Sequence, residues 1–244
     1  MLLSASNIAV KYRNGAFGVV DVSLNVAAGG VVSLLGANGA GKTTTVRALS
    51  GFLRTEGAKV VKGSIVLDGT DVTGWEPHRL SRLGVAALPE RNKVFRNLSV
   101  REHLTSAGLH CGRTERDAAV EFGMNLFPIL RERYKQSAGR LSGGQQQMLA
   151  MARALASCPK LLIVDEMTLG LHPSLQPVLF DALRTIAGTG TAVLVVDEST
   201  SHALDTADYC YLIQGGYIVL EGQPETFKGS ELIAAGYLGD EGPE

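Results

Sequence analysis

Gly36-Ala37-Asn38-Gly39-Ala40-Gly41-Lys42-Thr43 follows a short apolar run, Val31 to Leu35, and opens a helix at about Lys42. That placement makes it a phosphate-binding loop. Glycines let backbone N–H groups converge on phosphate oxygens, and a helix N-terminus adds roughly half a positive charge. Lys42 can reach the outer phosphates of a nucleoside triphosphate, the Thr43 hydroxyl can ligate Mg²⁺, and Thr44 supplies a further phosphate contact. About a hundred residues later, Leu141-Ser142-Gly143-Gly144-Gln145 sets a serine cap before a helix whose first turn is Gly143-Gly144-Gln145. This is a second anion site. One chain rarely needs two cradles for a γ-phosphate, whereas two chains arranged head to tail would let each cradle close over the nucleotide held by the other. The third chemical feature is Leu161-Leu162-Ile163-Val164-Asp165-Glu166, an apolar strand with two carboxylates at its C-terminal end. Ligands of open α/β sheets sit at that end.

The elements that carry these residues alternate between strand and helix. Apolar residues at Leu3, Ile8 and Val10, then at Val22, Leu24 and Val26, predict an antiparallel β element within the first thirty residues. Gly29-Gly30 is a turn, Val31 to Leu35 a buried strand, and Gly51 a C-cap for the helix after the loop. Ser64 to Leu67 reads as a strand closed by Asp68-Gly69, and Val85 to Leu88 as another buried strand. From Asn92 to Leu141 helical periodicity takes over. Ser99 with Glu102 forms a capping box for a helix through Leu104, and Thr114 with Asp117 begins another with Ala119, Phe122 and Leu126 on one face. This stretch is expected to be an inserted helical lobe. Beyond it, Met148, Met151, Ala152 and Leu155 follow helical spacing, with Pro159 past the end. Leu161 to Val164 is a strand, Pro173 a helix start, Thr191 to Val196 a strand, and Ala203, Leu204 and Ala207 a short helix. Tyr209 to Ile213 and Tyr217 to Leu220 flank the hairpin signal Gly215-Gly216. Such alternation argues an α/β sheet with crossover connections.

The whole-chain properties narrow the setting. A chain of 244 residues, 45% hydrophobic, needs no disulfide or metal staple to fold. Cys111, Cys158 and Cys210 lack metal-ligand spacing and read as reduced thiols of a cytosolic protein. The longest apolar runs, such as Ala192 to Val196, are strand-sized against the ~20 residues that cross a bilayer, and the N-terminus has no secretory-signal pattern. Any membrane role is expected to come through a partner. A net charge of −1 gives no support to nucleic-acid binding.

In this order and combination the motifs resemble the ABC ATPase family, whose signature is the LSGGQ pentapeptide between a phosphate loop and an apolar strand ending in Asp-Glu. The resemblance covers residues 1 to 224. It implies an α/β fold with a P-loop (RecA-like) core at about 1–91 and 142–224, an antiparallel β element and a helical subdomain at about 92–141. A C-terminal helix or tail at 225–244 completes a single ATPase domain. It implies ATP and Mg²⁺, with Gly36, Asn38, Gly39, Ala40, Gly41, Lys42, Thr43 and Thr44 around the phosphates. Ser142, Gly143, Gly144 and Gln145 would meet the nucleotide of a second subunit. Asp165 would hold Mg²⁺ through its water shell, and Glu166 would orient and polarise the attacking water.

Several positions depart from, or only partly match, the family pattern. Tyr12 falls where the family usually stacks an aromatic ring on adenine, with Phe17 as the competing residue. Glu90 replaces a glutamine that contacts Mg²⁺ and the lytic water, and a carboxylate oxygen can still accept from metal-bound water. With the stretch from Arg91 to Val100, Glu90 makes the sequence similar to the branched-chain amino acid importer ATPases. Glu198 stands at the position of a switch histidine. A carboxylate ~4 Å from a phosphate charge costs about 4 kcal/mol at an effective dielectric of 20, so Glu198 either turns away or takes a proton. Met167 replaces the proline usual after the catalytic glutamate, and Leu169-Gly170-Leu171 fits a loop that crosses a dimer interface. The implied catalytic set is Glu166, Lys42, Glu90 and Glu198, and the metal set Thr43, Asp165 and Glu90.

The expected partners are a second ABC ATPase subunit, identical or not, and transmembrane permease subunits docked near Glu90 to Val100, where Phe95 and Leu98 offer apolar contacts. A solute-binding protein would act indirectly, and no nucleic acid is expected. The resemblance places the chain in the cytoplasm, peripheral on the inner face of the cell membrane, powering import of branched-chain or other hydrophobic amino acids. Urea or amide importers, lipopolysaccharide exporters, a soluble ABC protein acting on DNA or ribosomes, and a regulatory subunit with little turnover are the alternatives.

Overall fold

The computed structural model describes residues 1–90, 94–108, 111–197 and 200–228. The first two strands, β1 (Leu3–Tyr12) and β2 (Phe17–Val26), pair antiparallel, and β3 (Val31–Leu35) leads into α1 (Lys42–Ser50). Next come β4 (Ala58–Leu67), β5 (Thr70–Asp71), α2 (Pro77–Arg82) and β6 (Val85–Leu88). The lobe holds α3 (Val100–Thr105), α4 (Arg113–Leu126) and α5 (Ile129–Glu132), followed by α6 (Gly143–Leu155). The chain returns through β7 (Leu161–Asp165), α7 (Gln176–Ala187), β8 (Ala192–Asp197), α8 (Thr200–Thr206), the hairpin β9 (Tyr209–Gln214) and β10 (Tyr217–Gly222), and α9 (Pro224–Phe227).

Among the described residues the strands form one sheet in the order β5-β4-β1-β2-β10-β9-β3-β8-β7-β6. The β9-β3-β8-β7-β6 half is parallel, and β1, β2, β4 and β5 pair antiparallel. The two halves join where Tyr217 of β10 pairs with Asp21 of β2. The parallel strands are buried on both faces, which is why they read as unbroken apolar runs. Alternation still sorts their side chains: Leu162 and Val164 of β7 join the core under the lobe and α7, while Leu161 and Ile163 join the core under α1. This sandwiching brings the C-terminal ends of β3, β6, β7 and β8 to one edge, where Gly36, Glu90, Glu166 and Asp197 follow or end them.

Three local expectations change. β4 begins at Ala58 rather than Ser64, because its first half pairs with β1 while facing solvent and so carries no apolar alternation. The helix expected to start at Pro173 begins with a single 3-10 turn, Pro173–Leu175, and α7 proper starts at Gln176. Pro177 lacks the N–H a longer helix would need there, so it is accommodated in the first turn. α4 starts at Arg113 with Gly112 as its uncapped N-cap residue, closed by the Arg116 N–H to Gly112 carbonyl bond, so Thr114 lies inside the helix. Ser99 does cap α3: its Oγ accepts from the Glu102 N–H at 3.2 Å while the Glu102 carboxylate accepts from the Ser99 N–H at 2.7 Å. Of the C-terminal tail, 229–244 lie outside the described residues.

The two serine/threonine positions should therefore separate in a stability assay. Ser99→Ala is expected to lower the unfolding free energy by about 1 kcal/mol, and Thr114→Ala to change it little, as read from urea midpoints. Equal losses would contradict the cap assignment.

Candidate active site

After β3 the chain turns through residues 36–41 into α1 at very close quarters with the core. A Cβ on Gly36 would stand 2.5 Å from the Ile213 carbonyl oxygen. Gly41, the N-cap of α1, has a φ of 115°, which side-chain-bearing residues rarely adopt. Ala37, Asn38 and Gly39 are exposed, and α1 carries no acidic residue in its first turn and no side-chain cap, which leaves its positive end for an anion. Lys42 is buried, its Nζ donating to the carbonyls of Gly36 at 2.6 Å and Ala37 at 3.1 Å, while Thr43 is half-buried one residue on. Ala40 is buried, its carbonyl accepting from the Gly216 N–H at 2.9 Å.

Tyr12 ends β1 half-buried, its hydroxyl 2.9 Å from the Thr44 hydroxyl. The sequence thus brings Tyr12 and Thr44 together beside the phosphate loop. Phe17 is 52% exposed, with the Lys11 Nζ 5.3 Å from its ring centroid.

Asp165, the last residue of β7, is buried, and its Oδ1 has no hydrogen-bond partner. Burial, followed by the charges of Glu166 and Glu90, pushes its carboxyl up to about 6, with Lys42 and Arg47 acting in the opposite direction. An unpaired buried carboxylate oxygen beside further carboxylates, next to a phosphate loop, fits a hard divalent cation. Thr43, Asp165 and Glu90 are the residues that would hold Mg²⁺ there.

Glu166 adopts a φ of 44°, and its N–H donates to the Val196 carbonyl at 2.7 Å. Left-handed backbone at a non-glycine residue costs roughly 1–3 kcal/mol and persists where surrounding structure enforces it. Two anchors follow. Met167 is fully buried in the core, so the departure from proline is absorbed as packing. The buried Thr168 hydroxyl donates to the Asp197 carboxylate, 3.0 and 2.9 Å from its two oxygens. Glu198 lies outside the described residues.

Ser142 is the exposed N-cap of α6: its Oγ accepts from the Gln145 N–H at 3.3 Å, and the Gln145 side-chain oxygen accepts from the Ser142 N–H at 3.1 Å. Gly143 is exposed near Leu171, whereas Gly144 is buried under the Leu175 side chain, whose end would have to shift to admit a Cβ. The segment that begins at Glu166 thus ends packed on the second anion site. Arg47, Thr168 and the bond that Asp197 accepts have no signature in the sequence. Arg47 lies on the same helix as Lys42, but Thr168 and Asp197 are 29 residues apart and meet only through the β7–β8 pairing.

Comparisons with known proteins bear on the family and the fold. A family model described as ABC transporter matches residues 19–169. The chain is 36% identical over 219 residues to the high-affinity branched-chain amino acid transport ATP-binding protein BraG of Pseudomonas aeruginosa, covering 90% of this chain and 92% of that one. It is 32% identical to the lipopolysaccharide export system ATP-binding protein LptB of Haemophilus influenzae, covering 98% of both. Its fold matches the crystal structure of an ATP-binding cassette of an ABC transporter in its ADP conformation, with a TM-score of 0.84 at 24% identity, covering 98% of this chain and 99% of that one. It also matches a dimeric cassette bound to ADP and Pi in a post-hydrolysis state, with a TM-score of 0.77 at 20% identity, covering 91% and 99%.

The Asp165 environment has a measurable sign. Its carboxyl moves from 3.8 to about 6 on folding, so the folded chain holds the extra proton between those values and loses stability as pH rises through them. In buffer without nucleotide or metal, Asp165→Asn should be more stable than the parent at about pH 7, by roughly 1–3 kcal/mol. The difference should vanish near pH 4, as followed by thermal melts. A less stable variant at neutral pH would contradict a buried, unpaired carboxylate.

Proposed function

The chain belongs to the ABC transporter family as one of its ATP-hydrolysing subunits, and from this premise we propose that it drives import of branched-chain or other hydrophobic amino acids. The observation that carries the substrate class is the 36% identity to BraG over nine-tenths of both chains. The identity to LptB over the whole length supports lipid export as the second reading.

In the proposed cycle the glycine loop and Lys42 bind the triphosphate of ATP, with Lys42 exchanging the Gly36 and Ala37 carbonyls for phosphate oxygens. Tyr12 lies on the adenine side. Bound Mg²⁺ would neutralise charge on the phosphates and on Asp165. Glu166 accepts a proton from the attacking water, and its fixed backbone sets the direction of the carboxylate. Ser142, Gly143, Gly144 and Gln145 of a second subunit, identical or not, close over the γ-phosphate, and hydrolysis reopens the pair. The dimeric cassette of the same fold supports this arrangement.

No helix among the described residues is long and apolar enough to cross a membrane. The proposed transport runs through membrane subunits, reached from the cytoplasmic face. Their docking surface is proposed between the core and the lobe. A cavity of about 440 Å³ opens there, lined by Phe52, Leu80, Ala87, Pro89 and Arg153 among others, and Phe95 stands beside Arg153 with 56% of its surface exposed. A solute-binding protein would present the amino acid on the opposite side of the membrane.

Three measurements test this reading. Lys42→Ala should weaken ATP binding at least about tenfold, the loss of one charge-assisted bond, as read by calorimetry. Glu166→Gln should keep Mg·ATP binding while turnover falls about a hundredfold or more; near-normal turnover would remove Glu166 from its role. Reconstituted with the membrane subunits that co-purify with it, the chain should support ATP-driven uptake of leucine, isoleucine or valine. Stimulation by lipopolysaccharide with no uptake would favour the exporter reading.

A further inference from the structure

Phe95 is exposed, yet it is held from three sides. Its backbone N–H donates to His103 Nε2 at 2.8 Å, its ring centroid lies 5.9 Å from that of His103, and the Arg153 guanidinium carbon stands 4.9 Å from its centroid on the cation–π side. Its carbonyl accepts from the Leu98 N–H at 3.0 Å, which closes a turn. His103 itself is fully buried on α3, and its Nδ1 lies 2.9 Å from the Ser99 carbonyl oxygen. Only one form of the imidazole satisfies both neighbours: Nδ1–H donates to the carbonyl and bare Nε2 accepts from Phe95. An imidazolium would set an Nε2–H against the Phe95 N–H, two donors facing each other with no acceptor between them.

Resting on the reading of this chain as a transporter subunit, we propose that His103 is a positioning residue that presents Phe95 to an apolar segment of the membrane subunit, and that it does so only while its ring is neutral. Arg153 has a double part, because it stacks on Phe95 and also lines the cavity of the docking surface. Binding there would bury the Phe95 ring and complete the desolvation of both residues.

The charged groups reaching His103 are Arg153 from α6 and Glu102 from its own helix. Burial is the main influence and Arg153 acts with it, holding the imidazole below its usual range against the opposite pull of the Ser99 carbonyl and Glu102. A group whose folded value is depressed contributes fully above the unfolded value of about 6.5 and loses its contribution as pH falls toward the folded one. Coupling to the membrane subunit should therefore weaken under acid conditions, whereas the titration of Asp165 at the nucleotide site acts on the isolated and the assembled chain alike.

The test uses the assembled transporter, purified from membranes through a tag on this chain, and the ratio of its ATPase rate to that of the isolated chain. From about pH 7.5 to about pH 5 the parent ratio should fall several-fold. His103→Gln, whose amide oxygen can take the place of Nε2 and accept from Phe95 but cannot titrate, should hold the ratio through that range. His103→Leu should lower it at every pH, with circular dichroism of the isolated variant confirming that it folds. A His103→Gln ratio that falls with pH as the parent does would overturn the proposal. So would an unaltered ratio in His103→Leu when Phe95→Ala lowers it, and that outcome leaves the docking surface standing. If Phe95→Ala leaves the ratio intact, the docking surface and this inference fall together.

Discussion

A carboxylate buried at the end of an apolar strand is unstable as an anion until a cation meets it, and Asp165 stands in that position with one oxygen unpaired. Glu166 and Glu90 add to the negative charge around it. The compensating lysine, meanwhile, is turned onto the carbonyls of Gly36 and Ala37. Negative charge is crowded at the strand end, and the positive end of the α1 dipole is aimed at an anion. A triphosphate carrying a divalent cation answers both at once. The sheet order makes this possible, since neighbouring parallel strands bring the ends of β3, β6, β7 and β8 to a single edge.

The same edge explains how the site communicates. Between Glu166 and Leu175 a short segment touches three things in turn. Its first residue bonds the Val196 carbonyl of β8, Thr168 bonds Asp197 at the end of that strand, and Leu175 packs onto Gly144 at the start of α6. A displacement of the carboxylate loop therefore bears directly on the helix that presents Ser142. α6 in turn packs against α3, α4 and α5, and through Arg153 against Phe95. The proposed hydrolysis site and the proposed docking surface are joined by one helix, α6.

Much of this could be read from residue order, and the failures have a common cause. Buried parallel strands and the phosphate loop announce themselves because burial on both faces demands unbroken apolar runs and because only glycines fit against Ile213 and in the left-handed turn at Gly41. The Ser99 capping box was legible for the same reason, being a local pairing three residues apart. The first half of β4 was not, since its pairing with β1 is made by backbone alone on a solvent-facing stretch. Thr114 imitated a cap that Gly112 occupies. His103 and the Thr168–Asp197 pair were invisible, because a buried polar contact between distant segments leaves no periodic trace.

What most directly decides the account is where Ser142 goes when nucleotide is bound. In a structure of the Glu166→Gln variant with Mg·ATP, Ser142 and Gly144 of one subunit should contact the γ-phosphate held by the glycine loop and Lys42 of the other, with the cation beside Asp165. A nucleotide-loaded chain whose Ser142 faces only solvent, with or without membrane subunits, would contradict it.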